Sequence, residues 1–352
     1  MLPLKVLKKQ AAFDLIAACV KRSKEIQHAS GPMIQASCLE HDHPTGPINA
    51  VTSYWRHRFE TEGVPEPLES IEHIIAHVIG SNKDSMFEED QFDEKQLEKL
   101  KILCHRRLTK MPLEYVTEEG TFKDTRLKLC VPIFMPESQS EILVDLLIKH
   151  ISRSCSSICT VLEIGCGAGS ISLSLLRSCD SQVRVIAIDT NEIACELTLH
   201  NAEVLKLDDR ITILHATLED DGKIVTSRNL SNDEGIDFLE ESFDFIVSNP
   251  PCTPTNEIPK LQKEFEDVQA RNGGEDGLKV IRPLLFYTSE RLKDNGVLLL
   301  EILPSQPEKV RNLIEEKYSQ KLKLDHIYED CSSDERILEI TKISELETTQ
   351  AN

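Results

Sequence analysis

The 352-residue sequence is long enough to bury one large core and a smaller companion domain, because 40% of its residues are hydrophobic. No apolar stretch approaches the ~20 residues that span a membrane, so we predict no membrane segment. Sixty acidic residues against 40 basic ones give a formal charge of −20. This charge argues against direct binding along a nucleic-acid phosphate backbone and favours a basic protein partner, since opposite fields accelerate encounter.

The 11 cysteines are scattered along the chain and include no Cys-x-x-Cys pair. We interpret them as free thiols in a reducing compartment rather than as disulfides or metal ligands. His73 and His77 have the spacing of one helical turn, but no further ligand types cluster with them in the sequence. The sequence therefore predicts no metal site.

The start of the chain is basic. Residues 1–39 carry six Lys or Arg against two acids, with apolar residues between them, and this composition is typical of a mitochondrial presequence. Asp14 and Glu25 interrupt the pattern, so an ordinary surface helix is the alternative. We assign residues 1–48 as a presequence-like segment and linker. This assignment favours a mitochondrial location, and otherwise a cytoplasmic one.

Residues 49–110 have the periodicity of a small helical bundle. Apolar residues recur at helical spacing between positions 68 and 79, and a second apolar face runs from 97 to 108. Asp93 and Gln96 have the spacing of a capping box. Residues 111–136 then alternate apolar residues with turn formers. That pattern predicts a β-hairpin that connects the bundle to the next domain.

A glycine-rich turn follows the first buried strand of the larger domain, residues 137–345. Apolar residues 157–164 precede Gly165-Cys166-Gly167-Ala168-Gly169 and a helical run. Glycines let a ligand approach the main chain, and amides at the helix start attract its polar groups. Asp189 ends the next strand 24 residues after Gly165, where an acid accepts hydrogen bonds from ribose hydroxyls. With Glu163 before the turn, this arrangement predicts a nucleotide-type cofactor site.

A second motif follows a later strand, residues 243–248, and reads Asn249-Pro250-Pro251-Cys252. Consecutive prolines lack N–H groups and fix φ, so they hold Asn249 and the Pro250 carbonyl in a rigid geometry. An Asn side chain and a free carbonyl supply acceptors for both hydrogens of an NH2 on a planar carbon. Because open α/β sheets bind ligands at the carboxyl ends of their strands, we predict an active site here. An ordinary Asn-Pro turn is the alternative.

The remaining pattern alternates strands and helices. Further strands are predicted over 183–189, 211–215, 297–302, 322–328 and 337–342, and further helices over 140–151, 192–205, 275–292 and 307–318, with a kink or break at Pro283. This alternation predicts an α/β fold with a largely parallel sheet and an antiparallel finish. The acid-rich residues 219–241 indicate a solvated surface insertion, and residues 346–352 a frayed tail.

These motifs resemble those of the HemK/PrmC-type release-factor glutamine methyltransferases, and the resemblance covers roughly residues 49–342. It extends to Pro112-Leu113-Glu114-Tyr115-Val116-Thr117 and to Gly273-Gly274-Glu275-Asp276-Gly277-Leu278. It implies a Rossmann-like, seven-stranded methyltransferase sheet preceded by a helical bundle that grips the substrate; a purely stabilising bundle is the alternative. It also implies S-adenosylmethionine as cofactor and a peptide-chain release factor as partner.

The resemblance implies a role for each motif residue. Cofactor contacts are expected from Glu163, Gly165, Cys166, Gly167, Ala168, Gly169, Asp189, Thr217, Leu218 and Asn249. Substrate contacts are expected from Asn249, Pro250, Pro251 and Cys252, with Asn249 and Pro250 acting in catalysis. The expected reaction is direct methyl transfer to the side-chain nitrogen (N5) of the glutamine in a Gly-Gly-Gln motif.

The chain departs from the family pattern at three places. Glu137 stands where the family has Arg, so a cation near the site is missing. Thr217 and Leu218 stand where the family has Asp and an aromatic residue at the adenine. Cys252 stands where the family has an aromatic residue, usually Tyr, and offers no ring to stack on the substrate. We interpret Cys252 as an apolar wall, because methyl transfer to nitrogen needs no covalent intermediate.

Two other functions remain compatible with these motifs. A nucleic-acid methyltransferase that acts on an exocyclic amine uses the same Asn-Pro-Pro logic, although the acidic charge and the missing stacking ring argue against it. A methyltransferase-fold binding protein without activity would account for Glu137, Thr217 and Cys252. The intact glycines, Asp189 and Asn249 argue against that function.

Overall fold

The computed structural model describes residues 46–80, 91–154, 158–180, 182–230, 242–258, 265–330 and 332–344. These residues form two compact units that divide between Gly120 and Thr121. Most of the predicted presequence-like segment (1–48) and all of the predicted tail (346–352) lie outside the described residues.

The first unit is helical, as the periodicity predicts. Its helices are α1 (Ile48–Thr61), α2 (Pro67–Ile79), α3 (Glu94–Leu108) and the short α4 (Leu113–Thr117). Large side chains such as Trp55, Phe59, Ile71 and Leu100 fill its core. The predicted capping box at Asp93 and Gln96 is confirmed, with both reciprocal hydrogen bonds 2.8 Å long. The amphipathic pattern thus located part of this unit's core, namely Ile71 and Leu100, whereas Trp55 and Phe59 lie outside the two predicted faces.

The connecting hairpin is shorter than predicted. Strands β1 (Glu119–Phe122) and β2 (Thr125–Lys128) form it, so it occupies 119–128 rather than 111–136. Residues 113–117 are helical instead. Pro112 immediately precedes that helix, where its missing N–H group removes no helical hydrogen bond.

The second unit contains a sheet of eight strands among the described residues, where seven were expected. The strands are β3 (Cys159–Ile164), β4 (Val183–Asp189), β5 (Ile211–Leu218), β6 (Ile224–Asn229), β7 (Phe243–Ser248), β8 (Leu292–Glu301), β9 (Leu322–Glu329) and β10 (Glu335–Lys342). Their order is β6-β5-β4-β3-β7-β8-β10-β9. Within the run β5-β4-β3-β7-β8, all neighbouring strands are parallel. β10 runs antiparallel to both of its neighbours, β8 and β9.

The additional strand lies within the predicted surface insertion, residues 219–241. β6 pairs antiparallel with β5 at the edge of the sheet. All of its residues except Ile224 are exposed, and Val225 is 53% exposed. Because neither face is buried, the strand has no alternation of apolar and polar residues that sequence analysis could detect.

Helices cover both faces of the sheet. Helices α5 (Glu141–Ser154), α6 (Ser170–Ser178) and α7 (Glu192–Leu205) pack on one face, and α8 (Ile281–Arg291) and α9 (Pro307–Lys317) on the other. Successive residues of β3 alternate between the two cores, Val161 in one and Leu162 in the other. Helix α8 begins six residues later than the predicted 275. Pro283 therefore lies in its first turn, where its missing N–H costs no hydrogen bond.

Asn201 connects the hairpin to the glycine turn. Its side chain is 3% exposed. Its Nδ2 donates to the carbonyls of Ala168 (2.9 Å) and Lys128 (3.1 Å), and its Oδ1 accepts from the Lys128 amide (2.8 Å). The buried side-chain amide of Asn201 therefore holds the glycine turn in place relative to β2.

We expect Asn201→Ala to lower the free energy of unfolding by about 2–4 kcal/mol, because it removes three hydrogen bonds to the backbone of Lys128 and Ala168. Urea unfolding followed by circular dichroism measures this change. Glu203→Ala, at an exposed position of the same helix, is the control. Equal unfolding midpoints for both variants would contradict the assigned role.

Candidate active site

A cavity of about 440 Å³ lies at the carboxyl ends of β3, β4, β5, β7 and β8. It brings together most of the residues singled out from the sequence. The lining includes Gly165, Gly167, Asp189, Thr217, Leu218, Asn249, Pro250, Pro251 and Cys252. The residues expected to bind cofactor and those expected to bind substrate thus share one space.

The other predicted residues, Glu163, Cys166, Ala168 and Gly169, lie behind this lining rather than on it. Glu163 is buried, and its carboxyl accepts hydrogen bonds from the amide (3.2 Å) and the hydroxyl of Ser172. Burial raises the pKa of Glu163 to about 8. Glu163 therefore supports the glycine turn by binding the first turn of α6.

The glycine turn lies directly beside the Asn-Pro-Pro corner. Gly165 and Gly167 have φ angles of +86° and +57°, a backbone conformation that favours glycine. A Cβ built on Gly165 would stand 3.9 Å from the carbonyl oxygen of Asn249. The main chains of the two motifs are therefore neighbours, with no side chain between them at this point.

Asp189 stabilises the same turn from the next strand. Its Oδ2 accepts from the amide of Gly167 (2.9 Å), and its Oδ1 accepts from the amide of Asn191 (2.8 Å). Burial is the main cause that raises the pKa of Asp189, and these two hydrogen bonds oppose the rise. Each carboxylate oxygen retains acceptor capacity for a ligand, since a carboxylate offers about four lone-pair sites.

The Asn-Pro-Pro corner keeps two acceptors available. Asn249 Nδ2 donates to Ser140 Oγ at 3.0 Å. Among the described residues, Asn249 Oδ1 and the Pro250 carbonyl accept no hydrogen bond. Gln306 fastens the end of the corner, because its Nε2 donates to the Cys252 carbonyl at 2.8 Å. These two acceptors of the corner are therefore unused within the described residues.

Cys252 packs against the hydrophobic core that includes β8. Burial is the main cause that raises its pKa to about 12. The thiol stays protonated at neutral pH and is a poor nucleophile. This agrees with its interpretation as an apolar wall.

Arg271 supplies a cation beside residue 137, where the family resemblance places an arginine and this chain has Glu137. Its guanidinium lies 3.0 Å from the Glu137 carboxylate and 2.6 Å from that of Glu266. It also stands 4.5 Å from the centroid of the Phe134 ring, the one aromatic ring on the lining formed by described residues. A positive charge is therefore present beside position 137, although residue 137 is itself a glutamate. Arg271, from another segment of the chain, supplies it.

Several lining residues lie outside the motifs that the sequence reveals: Phe134, Asn191, Asp267, Arg271, Glu301 and Arg336. Asn191 follows Asp189 by two residues and caps α7 through a hydrogen bond to the amide of Ile193, so its cap spacing was a usable signal. Arg336 reaches the site because β10 pairs with β8. Nothing in the local sequence indicates that pairing.

Two further observations limit the kind of site. Within the described residues, no three His, Cys, Asp or Glu side chains are grouped in a way that could hold a metal ion. The helices of the described segments are all too short or too polar to cross a membrane.

Comparisons with known proteins give a consistent result. Residues 156–329 match the profile of a methyltransferase domain, and residues 50–117 match that of the PrmC N-terminal domain. The MTRF1L release factor glutamine methyltransferase of Homo sapiens is 33% identical over 304 residues, which cover 83% of this chain and 86% of that protein. The release factor glutamine methyltransferase of Rhodopirellula baltica is 29% identical and covers 81% of this chain and 92% of that protein.

We expect Arg271→Leu to lower the free energy of unfolding by roughly 2 kcal/mol, because it leaves Glu137 and the buried Glu266 without a cation. Adding Glu137→Arg should restore much of this loss, since it returns a cation to the same cluster. A double-mutant cycle measured by urea unfolding tests the coupling. Arg282→Leu, which breaks an exposed ion pair with Asp276, is the control. Simple additivity of the two substitutions would rule out the compensation.

Proposed function

Because this chain belongs to the release factor glutamine methyltransferase family, we propose that it methylates the side-chain nitrogen (N5) of the glutamine in the Gly-Gly-Gln motif of a peptide-chain release factor, with S-adenosylmethionine as methyl donor. The observation that carries the proposal is the Asn249-Pro250 corner beside the glycine turn, within one cavity. A planar amide NH2 has two donors, and this corner has two acceptors.

The cavity suits a positively charged nucleoside cofactor. Gly165 and Gly167 contribute bare main chain, and Asp189 contributes a carboxylate that can accept from ribose hydroxyls. Thr217 and Leu218 follow at the end of the next strand, where Leu218 can cover a face of adenine. When bound, S-adenosylmethionine supplies a methyl group on a positively charged sulfur that is a good leaving group.

The chain's own residues would orient the nucleophile. An amide nitrogen is a poor nucleophile, because its lone pair is conjugated with the carbonyl. Asn249 Oδ1 and the Pro250 carbonyl would each accept one N–H of the glutamine, which directs the nitrogen and favours the positive charge that develops on it. The nitrogen becomes strongly acidic only after it is methylated. No strong base is therefore needed before transfer.

Two segments in the N-terminal third of the chain suggest how substrate and location are selected. We propose that the helical unit, whose residues 50–117 match the PrmC N-terminal domain, binds the release factor outside the catalytic cavity. The acidic charge of the protein favours a basic partner. The basic, acid-poor residues 1–39 support a mitochondrial location.

We expect labelled S-adenosylmethionine to transfer its methyl group to a release factor that contains Gly-Gly-Gln. A variant factor with Gln replaced by Ala should stay unlabelled, and so should an oligonucleotide. Label on the oligonucleotide alone would support the nucleic-acid alternative. Cofactor binding without transfer to any of them would support the inactive binding protein.

Asn249→Ala should abolish transfer and leave cofactor binding largely intact, because it removes one of the two acceptors for the substrate amide. Single-turnover assays and isothermal titration of S-adenosylmethionine separate the two effects. Asn312→Ala, on the exposed face of α9, is the matched control. Normal turnover by Asn249→Ala would remove the proposed mechanism.

Residues 1–48 fused to a fluorescent protein should reach mitochondria in cells, because a basic, acid-poor amphipathic segment is imported there. Replacing the basic residues of that segment with glutamine should leave the fusion in the cytoplasm. Microscopy with a mitochondrial stain reads the result. A cytoplasmic wild-type fusion would contradict the proposed location.

A further inference from the structure

The proposed reaction depends on which end of the Asn249 side chain meets the substrate. The two ends have opposite hydrogen-bonding roles, since Oδ1 accepts and Nδ2 donates. A rotation of half a turn about the last side-chain bond would present Nδ2 to the substrate NH2, donor against donor. The chain therefore needs a device that selects one orientation.

Two buried residues form such a device. Asn249 Nδ2 donates to Ser140 Oγ at 3.0 Å. The Ser140 side chain also lies beside the carboxyl group of Glu301, and a hydrogen bond between them lowers the pKa of Glu301. Ser140 is 3% exposed and Glu301 is 4% exposed, and Glu301 lines the cavity at the end of β8. Three side chains thus form a hydrogen-bonded row from the substrate corner to a buried carboxyl group.

The direction of this row follows from the carboxylate. An ionised Glu301 can only accept, so the single hydroxyl proton of Ser140 is directed to it. Ser140 Oγ must then accept from Asn249, and only Nδ2 can donate. We propose that Ser140 and Glu301 are positioning residues that orient the Asn249 amide, so that ionised Glu301 keeps Oδ1 available to the substrate. This inference rests on the proposed function and concerns the same site.

The surroundings of Glu301 make the direction of the row sensitive to pH. Burial is the main cause that raises its pKa to about 7, and the charges of Glu137 and Asp330 raise it further. The Ser140 hydrogen bond and Arg336 oppose the rise, and Arg336 is itself held by Asp330 at 2.9 Å. A further neighbour of Glu301, the Cys252 thiol, carries no charge at this pH.

Protonation of Glu301 turns it into a donor. The acid can then donate to Ser140 Oγ, whose own proton becomes free to bind Asn249 Oδ1. That arrangement rotates the amide and presents Nδ2 to the substrate. The sign follows directly: the active orientation is favoured above the pKa of Glu301 and is lost as the pH falls through it.

A merely structural role does not account for a carboxyl group here. Glu301 Oε2 is buried and has no hydrogen-bond partner among the described residues. Leaving such an oxygen unpaired costs free energy, and an apolar side chain of similar size avoids the cost. The carboxyl group is useful at this position because its charge allows only one direction of hydrogen bonding.

The test measures kcat between pH 6 and pH 8 for the wild type and three variants, with a Gly-Gly-Gln release factor as substrate. For the wild type, kcat should fall about tenfold from pH 8 to pH 6, because one unit below the pKa leaves about a tenth of Glu301 ionised. Glu301→Gln should show no such fall. At pH 8 it should lose about twofold, since a glutamine can either accept from Ser140 or donate to it.

Two substitutions at Ser140 separate positioning from packing. Ser140→Ala should lower kcat roughly tenfold with an unchanged KM for S-adenosylmethionine, because the amide loses its orientation. Ser140→Thr keeps the hydroxyl and should retain the wild-type pH profile. Thermal melting checks that each variant is folded. An acid limb that persists in Glu301→Gln would overturn the inference.

A second measurement does not depend on activity. The side-chain amide resonances of Asn249, labelled with ¹⁵N, should shift between pH 6 and pH 8 in the wild type and stay constant in Glu301→Gln. If they titrate in an enzyme that transfers no methyl group, the proposed function fails and the orientation device stands. If methyl transfer occurs and they do not titrate, the device is wrong and the proposed function stands.

Discussion

The parallel pairing of β3 with β7 is the constraint on which the site depends. Val161, Leu162 and Glu163 pair with Phe245, Ile246 and Val247. Parallel neighbours end at the same edge of a sheet, so the glycine turn after β3 and the Asn-Pro-Pro corner after β7 must lie side by side. Residues 84 positions apart, Gly165 and Asn249, become main-chain neighbours through this pairing alone. The catalytic proposal requires this proximity, because a methyl group must pass directly between donor and acceptor.

Buried carboxyl groups surround this junction. Glu163 binds the start of α6 from behind the turn, Asp189 binds the turn itself, and Glu301 lies at the end of β8. Burial is the main cause that raises the pKa of each. The residue types alone do not distinguish the roles of these three carboxyl groups. Their hydrogen-bond partners do, since Glu163 and Asp189 bind backbone amides, whereas Glu301 lies beside Ser140, which binds the Asn249 side chain.

The departures from the family pattern differ in their consequences. Arg271 supplies the cation that is missing at position 137, because its guanidinium lies beside the carboxylates of Glu137 and Glu266. Cys252 has no such substitute, and it remains a protonated thiol that packs on the core. In the proposed reaction, substrate positioning therefore depends more on the Asn249 and Pro250 acceptors than on a stacked ring. The orientation of the Asn249 amide gains importance for that reason.

The sequence by itself determined the fold class, the helical character of residues 49–110, the two motifs and their assignment to the carboxyl ends of strands. Apolar periodicity, glycine spacing and consecutive prolines are local signals, and local backbone preferences produce them. It also indicated the correct family, since several motifs recur in the same order. The sequence did not correctly predict the edge strand β6, the first residue of α8 or the bounds of the hairpin. An exposed strand shows no alternation, and proline is tolerated at a helix start.

Only the tertiary structure decided which side chains complete the site. Ser140, Arg271, Glu301 and Arg336 come from four separate segments, and no local pattern connects them. Strand pairing between β8 and β10 brings Arg336 to Glu301, and packing brings Ser140 to Asn249. A hydrogen-bonded row has a direction only when its members are in contact and buried from water. The motifs could therefore be recognised in the sequence, whereas the orientation of their atoms depended on contacts that exist only in the folded chain.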